Sequence, residues 1–276
     1  MGLAACGSTA SDKPSVPPPP DPGAAPVHLG GESLFIPGEF LAWQVKWKGM
    51  AGGSTQLMVG QPGTLGGKQA VIVRSETRGD GLIAVFRHLR DEITTVIDLE
   101  DGTPIRNEGI VEEGRSVWQV VVQFGAGAYD LLLRVDDTEK RWKQIVPDGA
   151  PVQDWQAALG FMRVWNPEPG TRGYFYAQSG QSFYRVEVAA AGHEEVRLEL
   201  GSFDCQRIEG LAHRLDKRGV PVPDAEPREF SLWFTDDDRS LPVKILAQTS
   251  FGDVYAELLE FQQPGDAIPI WIRPSR

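Results

Sequence analysis

The sequence predicts a mainly β fold: an antiparallel meander of about twelve strands, curled into a barrel or half-barrel, with one helix near residues 153–165. Three observations predict it. Apolar and polar residues alternate over most of the chain, the period of a half-buried strand. Turn signals rich in Gly and Asp separate these runs at short intervals. Between Pro147 and Pro169 the alternation breaks, and apolar residues recur there at helical spacing.

The elements follow in order. In Phe40–Lys48, Leu41, Trp43, Val45 and Trp47 face one way, and Gln44, Lys46 and Lys48 the other. Met50-Ala51-Gly52-Gly53 turns the chain, and strands are expected at Thr55–Val59, Gln69–Glu76, Leu82–Leu89 and Glu92–Leu99. Gly66-Gly67-Lys68 is a hairpin tip and no phosphate loop, since Gln69 stands where such a loop needs Ser or Thr. Asp101-Gly102 supplies the positive φ angles of a tight hairpin. Ser116–Phe124 and Ala128–Val135 come next; in the second, Tyr129, Leu131, Leu133 and Val135 alternate with Asp130 and Arg134. One face is therefore buried and one wet, which suits an antiparallel sheet. In the break, Trp155, Leu159 and Met162 lie on one helical face, Asp154 can cap the first turn, and Pro167 stops the run. Strands resume at Gly173–Gln178, Ser182–Ala189, Glu194–Leu200 and Phe203–Leu211. The loop Asp216–Pro227 leads to Glu229–Thr235, Leu241–Thr249 and Asp253–Phe261. So many consecutive strands must curl to protect their edges.

The N-terminus carries an address. Leu3-Ala4-Ala5-Cys6 resembles the lipobox of bacterial lipoproteins, in which a small-residue site is cleaved before a lipid-bearing cysteine. A full signal peptide needs a longer apolar run than Met1–Ala5, so the expectation includes a start further upstream. Residues 1–6 are then a signal remnant, and 7–37 a disordered Pro- and Gly-rich tether that includes Pro17-Pro18-Pro19-Pro20. Residues 38–262 form one β-rich domain and 263–276 a tail. The anchored Cys6 makes a membrane the first partner. Gly7, where lipoproteins kept in the inner membrane carry Asp, implies by the same resemblance an outer-membrane protein facing the periplasm.

Charge and motifs exclude several functions. A net charge of −11 and a pI near 4.9 are wrong for nucleic acid, whose phosphates need a basic footprint. Cys6 and Cys205 are the two cysteines; with Cys6 lipidated there is no disulfide framework, and Cys205 is expected as a buried thiol. His28, His88, His193 and His213 have no metal-ligand spacing, and no Gly-x-Ser-x-Gly elbow occurs. Asp236-Asp237-Asp238, Glu112-Glu113 and Asp136-Asp137 are turn carboxylates. No catalytic residue, metal ligand or cofactor is therefore assigned. The remaining resource is aromatic. Trp43, Trp47, Trp118, Trp155, Trp165 and Trp233 fall on apolar phases and either pack a core or line an apolar groove closed by the helix.

Three stretches together resemble one family. They are Pro37-Gly38-Glu39 with Val45-Lys46-Trp47 and Gly49; the helical Gln153–Trp165 with its D…L…R pattern; and Leu232-Trp233-Phe234-Thr235-Asp236-Asp237 followed by Leu241-Pro242-Val243-Lys244 and Gly252-Asp253. They are similar to the bacterial domain of unknown function 3108, whose members are exported and mostly β. The resemblance implies a fold and a compartment and assigns no catalytic residue. By fold analogy alone, the pattern is also similar to periplasmic lipoprotein carriers that hold acyl chains in a concave sheet. The function expected is a non-catalytic envelope lipoprotein binding an apolar or amphiphilic ligand. The alternatives are a module that binds an envelope protein and, behind it, a glycan hydrolase.

Overall fold

The computed structural model describes residues 35–79, 89–113, 116–249 and 252–262. Cys6, nearly all of the tether, the tail and most of the strand expected at Leu82–Leu89 lie outside the described residues. Among the described residues sixteen strands are present where about twelve were expected, with one α-helix. The strands of the N-terminal half are β1 (Phe40–Trp47), β2 (Met50–Val59), β3 (Gly63–Leu65), β4 (Lys68–Gly79), β5 (Leu89–Asp98), β6 (Pro104–Glu113), β7 (Ser116–Gly125), β8 (Ala128–Val135) and β9 (Thr138–Ile145). The C-terminal half holds β10 (Val152–Asp154), helix α1 (Trp155–Val164), β11 (Arg172–Ser179), β12 (Ser182–Leu198), β13 (Gly201–Leu215), β14 (Arg228–Thr235), β15 (Pro242–Thr249) and β16 (Gly252–Gln262).

The strands not expected have physical reasons to hide. β6 opens on Pro104 and holds Arg106-Asn107-Glu108-Gly109, so its inner face is not read as apolar. β9 is an edge strand whose Glu139, Arg141 and Lys143 guard it with charge. β3 and β10 are three residues each. Conversely, the runs at Ser182–Ala189 and Glu194–Leu200 belong largely to one 17-residue strand, carried across Gly192 by a bulge.

All strands join one sheet in the order β10-β11-β12-β13-β14-β15-β16-β1-β2-β4-β5-β6-β7-β8-β9, with β3 paired to β4. Neighbours are antiparallel except β10 and β11, which run parallel because α1 connects them as a crossover. β9 and β10 occupy opposite ends of this order, fourteen steps of about 4.8 Å apart, or about 67 Å in a flat sheet. Yet Ile145 and Val152 are seven residues apart in sequence, a reach of about 25 Å at most. The sheet must curl until its two edges approach. A second apolar cluster marks that seam: Val122 and Tyr129 from one edge meet Val152, Tyr176 and Phe183 from the other. The Phe183 ring lies 5.9 Å from Tyr129 and 5.6 Å from Tyr176.

Helix α1 lies against the concave face. Gln156 through Arg163 are all buried, as befits a helix enclosed on every side. Asp154 caps it as expected, its Oδ1 accepting from the Ala157 N–H at 2.8 Å. Gly160 is required by a close approach: a Cβ there would sit 2.2 Å from the Phe35 ring. Phe35 itself is 6% exposed, so the folded domain begins no later than this residue, three positions inside the expected tether. The main core gathers Leu41, Trp43, Leu57, Val73, Ile208 and Phe234 beneath the helix.

Candidate functional site

Strand register sorts the concave face of β2 and β4–β8 into rows of residues directly opposite one another. The innermost row is Val59-Val73-Thr95-Asn107-Val122-Leu131. The next is Leu57-Ser75-Ile93-Gly109-Val120-Leu133, and the third is Thr55-Thr77-Asp91-Val111-Trp118-Val135.

The helix takes the polar groups of the first two rows. Asp154 Oδ2 accepts from the Thr95 hydroxyl and from Asn107 Nδ2 at 2.8 Å, and Asn107 also donates to Thr95 at 2.9 Å. Burial pushes the Asp154 carboxyl above the usual carboxylate range, against the pull of the bonds from Ala157, Thr95 and Asn107. Gln156 Nε2 donates to Ser75 Oγ at 2.9 Å and to the Ile93 carbonyl at 3.3 Å.

The far end of the helix is clamped as firmly. Arg163 donates to both oxygens of Glu39 at 2.6 and 2.8 Å, a bidentate pair with side chains 3% and 4% exposed. Its remaining donors reach the Ser240 carbonyl at 3.0 Å and the Arg239 carbonyl at 2.8 Å. Glu39, Arg163 and the Asp236–Ser240 turn come from the three stretches that carry the family resemblance. Those stretches therefore meet at one buried knot that docks the helix.

The third row is different. Asp91 Oδ1 and Trp118 Nε1 are both buried and have no hydrogen-bond partner among the described residues. They stand on the same face, two strands apart, about 10 Å between backbones. Burial raises the Asp91 carboxyl to about 6. Between them and the helix, Gly109 leaves its place in the second row without a side chain. A Cβ built there would meet only Ile93 Cγ1, at 3.8 Å. An orphaned acceptor, an orphaned donor and a missing side chain with room for at least a methyl thus share one apolar-flanked patch. Thr55 and Thr77, further along the row, satisfy each other at 2.9 Å.

The six tryptophans expected to line a groove do not converge. Trp43 opposes Thr55 and so begins the third row, but it is 1% exposed and its N–H donates to the Pro242 carbonyl at 2.7 Å. Trp155 and Trp165 flank the helix and pack on the main core. Trp233 shares its row with Arg207 and Lys244, on the other face of the sheet, and donates to Glu194 at 2.6 Å. Trp47 lies under Lys48, whose Nζ is 4.6 Å from its ring. Trp118 is the one that reaches the unfilled patch. Asp91 escaped sequence reasoning because it was placed in a turn between two strands. Counting back in twos from Ile97 through Thr95 and Ile93 lands on it, a carboxylate at a core phase.

Asp237 holds the β14–β15 turn by accepting from Thr235, Arg239 and Ser240, as expected of a turn carboxylate. His193 contacts Asp236 at 3.2 Å and His213 contacts Glu187 at 3.5 Å, and no metal-ligating group of three or more exists among the described residues. Burial, aided by neighbouring carboxylates, pushes the Cys205 thiol up to about 12, which leaves it inert. A groove of about 770 Å³ lies on the outer face of β6–β9, lined by Arg106, Glu108, Gln119, Arg134, Arg141 and Lys143. Arg106 pairs there with Glu108, Arg134 and Arg141 pair with Glu139 beside it, and none of the lining side chains is orphaned. The same outer face carries the Arg74–Glu92 and Arg90–Glu92 pairs, the opposite of the apolar band that a membrane-spanning barrel presents. Among the described residues no helix is long and apolar enough to cross a membrane.

A family model described as protein of unknown function (DUF3108) matches residues 42–259. The chain belongs to the DUF3108 family. No curated protein matches it significantly. Among solved structures it is similar to a β-barrel-like protein of the domain of unknown function DUF1849 from Brucella abortus, at 10% identity and a TM-score of 0.52, covering 82% of this chain and 97% of that one. That likeness shows the fold of this DUF3108 protein, a barrel-like curled sheet. An inferred exported protein with a YmcC-like fold from Bacteroides fragilis aligns at 10% identity and a TM-score of 0.39, over 84% of this chain and 100% of that one. An inferred lipoprotein from Parabacteroides distasonis aligns at 12% identity and a TM-score of 0.35, over 84% and 99%.

Proposed function

We propose that this DUF3108 protein is a non-catalytic lipoprotein of the cell envelope that holds an apolar or amphiphilic ligand on the concave face of its sheet. The observation that carries the reading is the missing side chain at Gly109, where an added Cβ would meet only Ile93, in a patch bordered by Ile93 and Val120 in its own row and by Val111 below it. Buried apolar walls with few, placed polar groups are the usual make-up of a small-molecule site. The lipobox-like Leu3-Ala4-Ala5-Cys6 and the Pro-rich tether support an anchored domain facing the periplasm from the outer membrane.

Glycan hydrolysis has less support. It needs two carboxylates about 5–9.5 Å apart across a substrate. On the concave face the two carboxylates without a cationic partner are Asp91 and Asp154. Asp154 is bound at Thr95, four residues and about 13 Å along β5 from Asp91.

The test is binding by the full chain after removal of co-purified lipid. A neutral fluorescent acyl probe, such as the methyl ester of an anthroyloxy fatty acid, is expected to bind with micromolar affinity, and Gly109→Leu to abolish it by occupying the gap. Absence of probe binding, together with no lipid in the organic extract of freshly purified protein, overturns the reading. Cys6→Ala is expected to move the protein from the membrane to the soluble envelope fraction; unchanged fractionation rules out the anchor.

A further inference from the structure

We propose that Asp91 and Trp118 form a head-group site for an amphiphile that carries a protonated amine beside a hydrogen-bond-accepting oxygen. The proposal rests on the ligand-holding reading above and names the chemistry of its polar end.

The argument starts from what burial demands. A buried N–H or carboxylate oxygen without a partner costs free energy, and folded proteins rarely keep one without a use. Here two such atoms occur in the same cross-strand row, on β5 and β7, with Val111 of β6 between them. They are of opposite kinds. Trp118 Nε1 can only donate, and an ionised Asp91 can only accept. They cannot satisfy each other across about 10 Å of sheet. A head group of a few heavy atoms spans the gap when its N–H faces Asp91 and its oxygen faces Trp118.

Charge narrows the class further. Asp91 is flanked in its row by Thr77 and Val111, neither of which is a cation. The neighbouring Arg78 and Arg90 fall on the alternate phase and belong to the outer face, where they pair with Glu76 and Glu92. A carboxylate in an apolar surround, with no counter-ion among the described residues, favours a cation that arrives with the ligand. The tail has its place beside the head: the second row, with Ile93, the bare Gly109 and Val120, lies directly toward the core. By contrast, a fatty-acid carboxylate or a phosphate monoester would set a second negative charge against Asp91.

The experiment is calorimetric titration of the delipidated full chain at pH 8 with dodecylamine, dodecanol, dodecanoate and N-dodecylethanolamine, each below its micelle concentration. Dodecylamine is expected to bind at least tenfold more tightly than dodecanol, and dodecanoate more weakly than either. Asp91→Asn is expected to erase the amine preference and leave dodecanol binding unchanged. Because the chain carries a net charge of −11, a diffuse attraction for amines would survive that substitution, so survival overturns the site. Trp118→Phe is expected to weaken N-dodecylethanolamine at least threefold while sparing dodecylamine; equal loss for both overturns the donor role. In the unmodified chain, dodecyltrimethylammonium, which keeps the charge and lacks N–H donors, is expected to lose at least tenfold against dodecylamine, and equal binding overturns the proposal without any variant. If dodecanoate binds as tightly as dodecylamine, the head-group site is wrong and the ligand-holding reading stands. If none of the ligands binds, both fail.

Discussion

Two aspartates sit on or against the concave face of the same strands, and they could hardly be treated more differently. Asp154 is enclosed by three hydrogen-bond donors from α1, β5 and β6, and its carboxylate is part of the joint that docks the helix. Asp91, four residues along β5 from Asp154's partner Thr95, is half-buried, with its buried Oδ1 bonded to nothing described. Burial lifts the carboxyl of each. The difference is compensation. At the plugged end the fold supplies the carboxylate with three donors, so that end is structure. At the third row it leaves partners missing, so the cost of burial is held open for something else.

Breaking the plugged end is expected to have the largest effect. Arg163→Leu leaves Glu39 buried without its cation, and should lower stability by about 3–5 kcal/mol, read as a fall in the urea midpoint. A loss below about 1 kcal/mol would mean that the clamp is ornamental. Asp154→Ala removes the helix cap and orphans Thr95 and Asn107; about 2–4 kcal/mol is expected, with amide exchange rising first in α1.

The third row should respond with the opposite sign. The folded Asp91 carboxyl, at about 6, lies above its unfolded value, so the folded state binds the extra proton between about pH 4 and 6. Stability from this group is present below pH 4 and lost as the pH rises through 6. Asp91→Asn should remove that fall and stabilise the chain at pH 8 by about 1–3 kcal/mol, seen by comparing urea unfolding at pH 5 and pH 8. A variant less stable than the wild type at pH 8 would show that Asp91 has a structural partner after all. The smallest effect is expected at Gly109→Ala, within about 0.5 kcal/mol, because the added methyl meets only Ile93. A loss beyond about 1.5 kcal/mol would show the space to be filled.

Much of the scaffold was legible. β8, and β1 from Trp43 onward, announce themselves by alternation, and α1 by its spacing, its Asp154 cap and the Pro167 stop. The family stretches were legible too, and the structure explains why they stand out: they build the Glu39–Arg163 knot. The groove was legible only in outline. Tryptophans on apolar phases fit a core and a cavity equally well, and only Trp118 reaches the unfilled patch. Asp91 was hidden because a carboxylate beside Arg90 and Glu92 looks like a charged turn until the phase of β5 is known.

By itself, then, the sequence determined most of the segments that become strands, where the helix starts and stops, and that the whole must curl, because alternation, capping and turn chemistry act over a few residues. The tertiary structure decided which buried polar groups find partners. Asp154 meets Thr95 across 59 residues of chain and Arg163 meets Glu39 across 124, while Asp91 Oδ1 and Trp118 Nε1 find no hydrogen-bond partner among the described residues. Satisfaction of a buried group is a property of distant neighbours brought into register, and no local pattern in the chain encodes it.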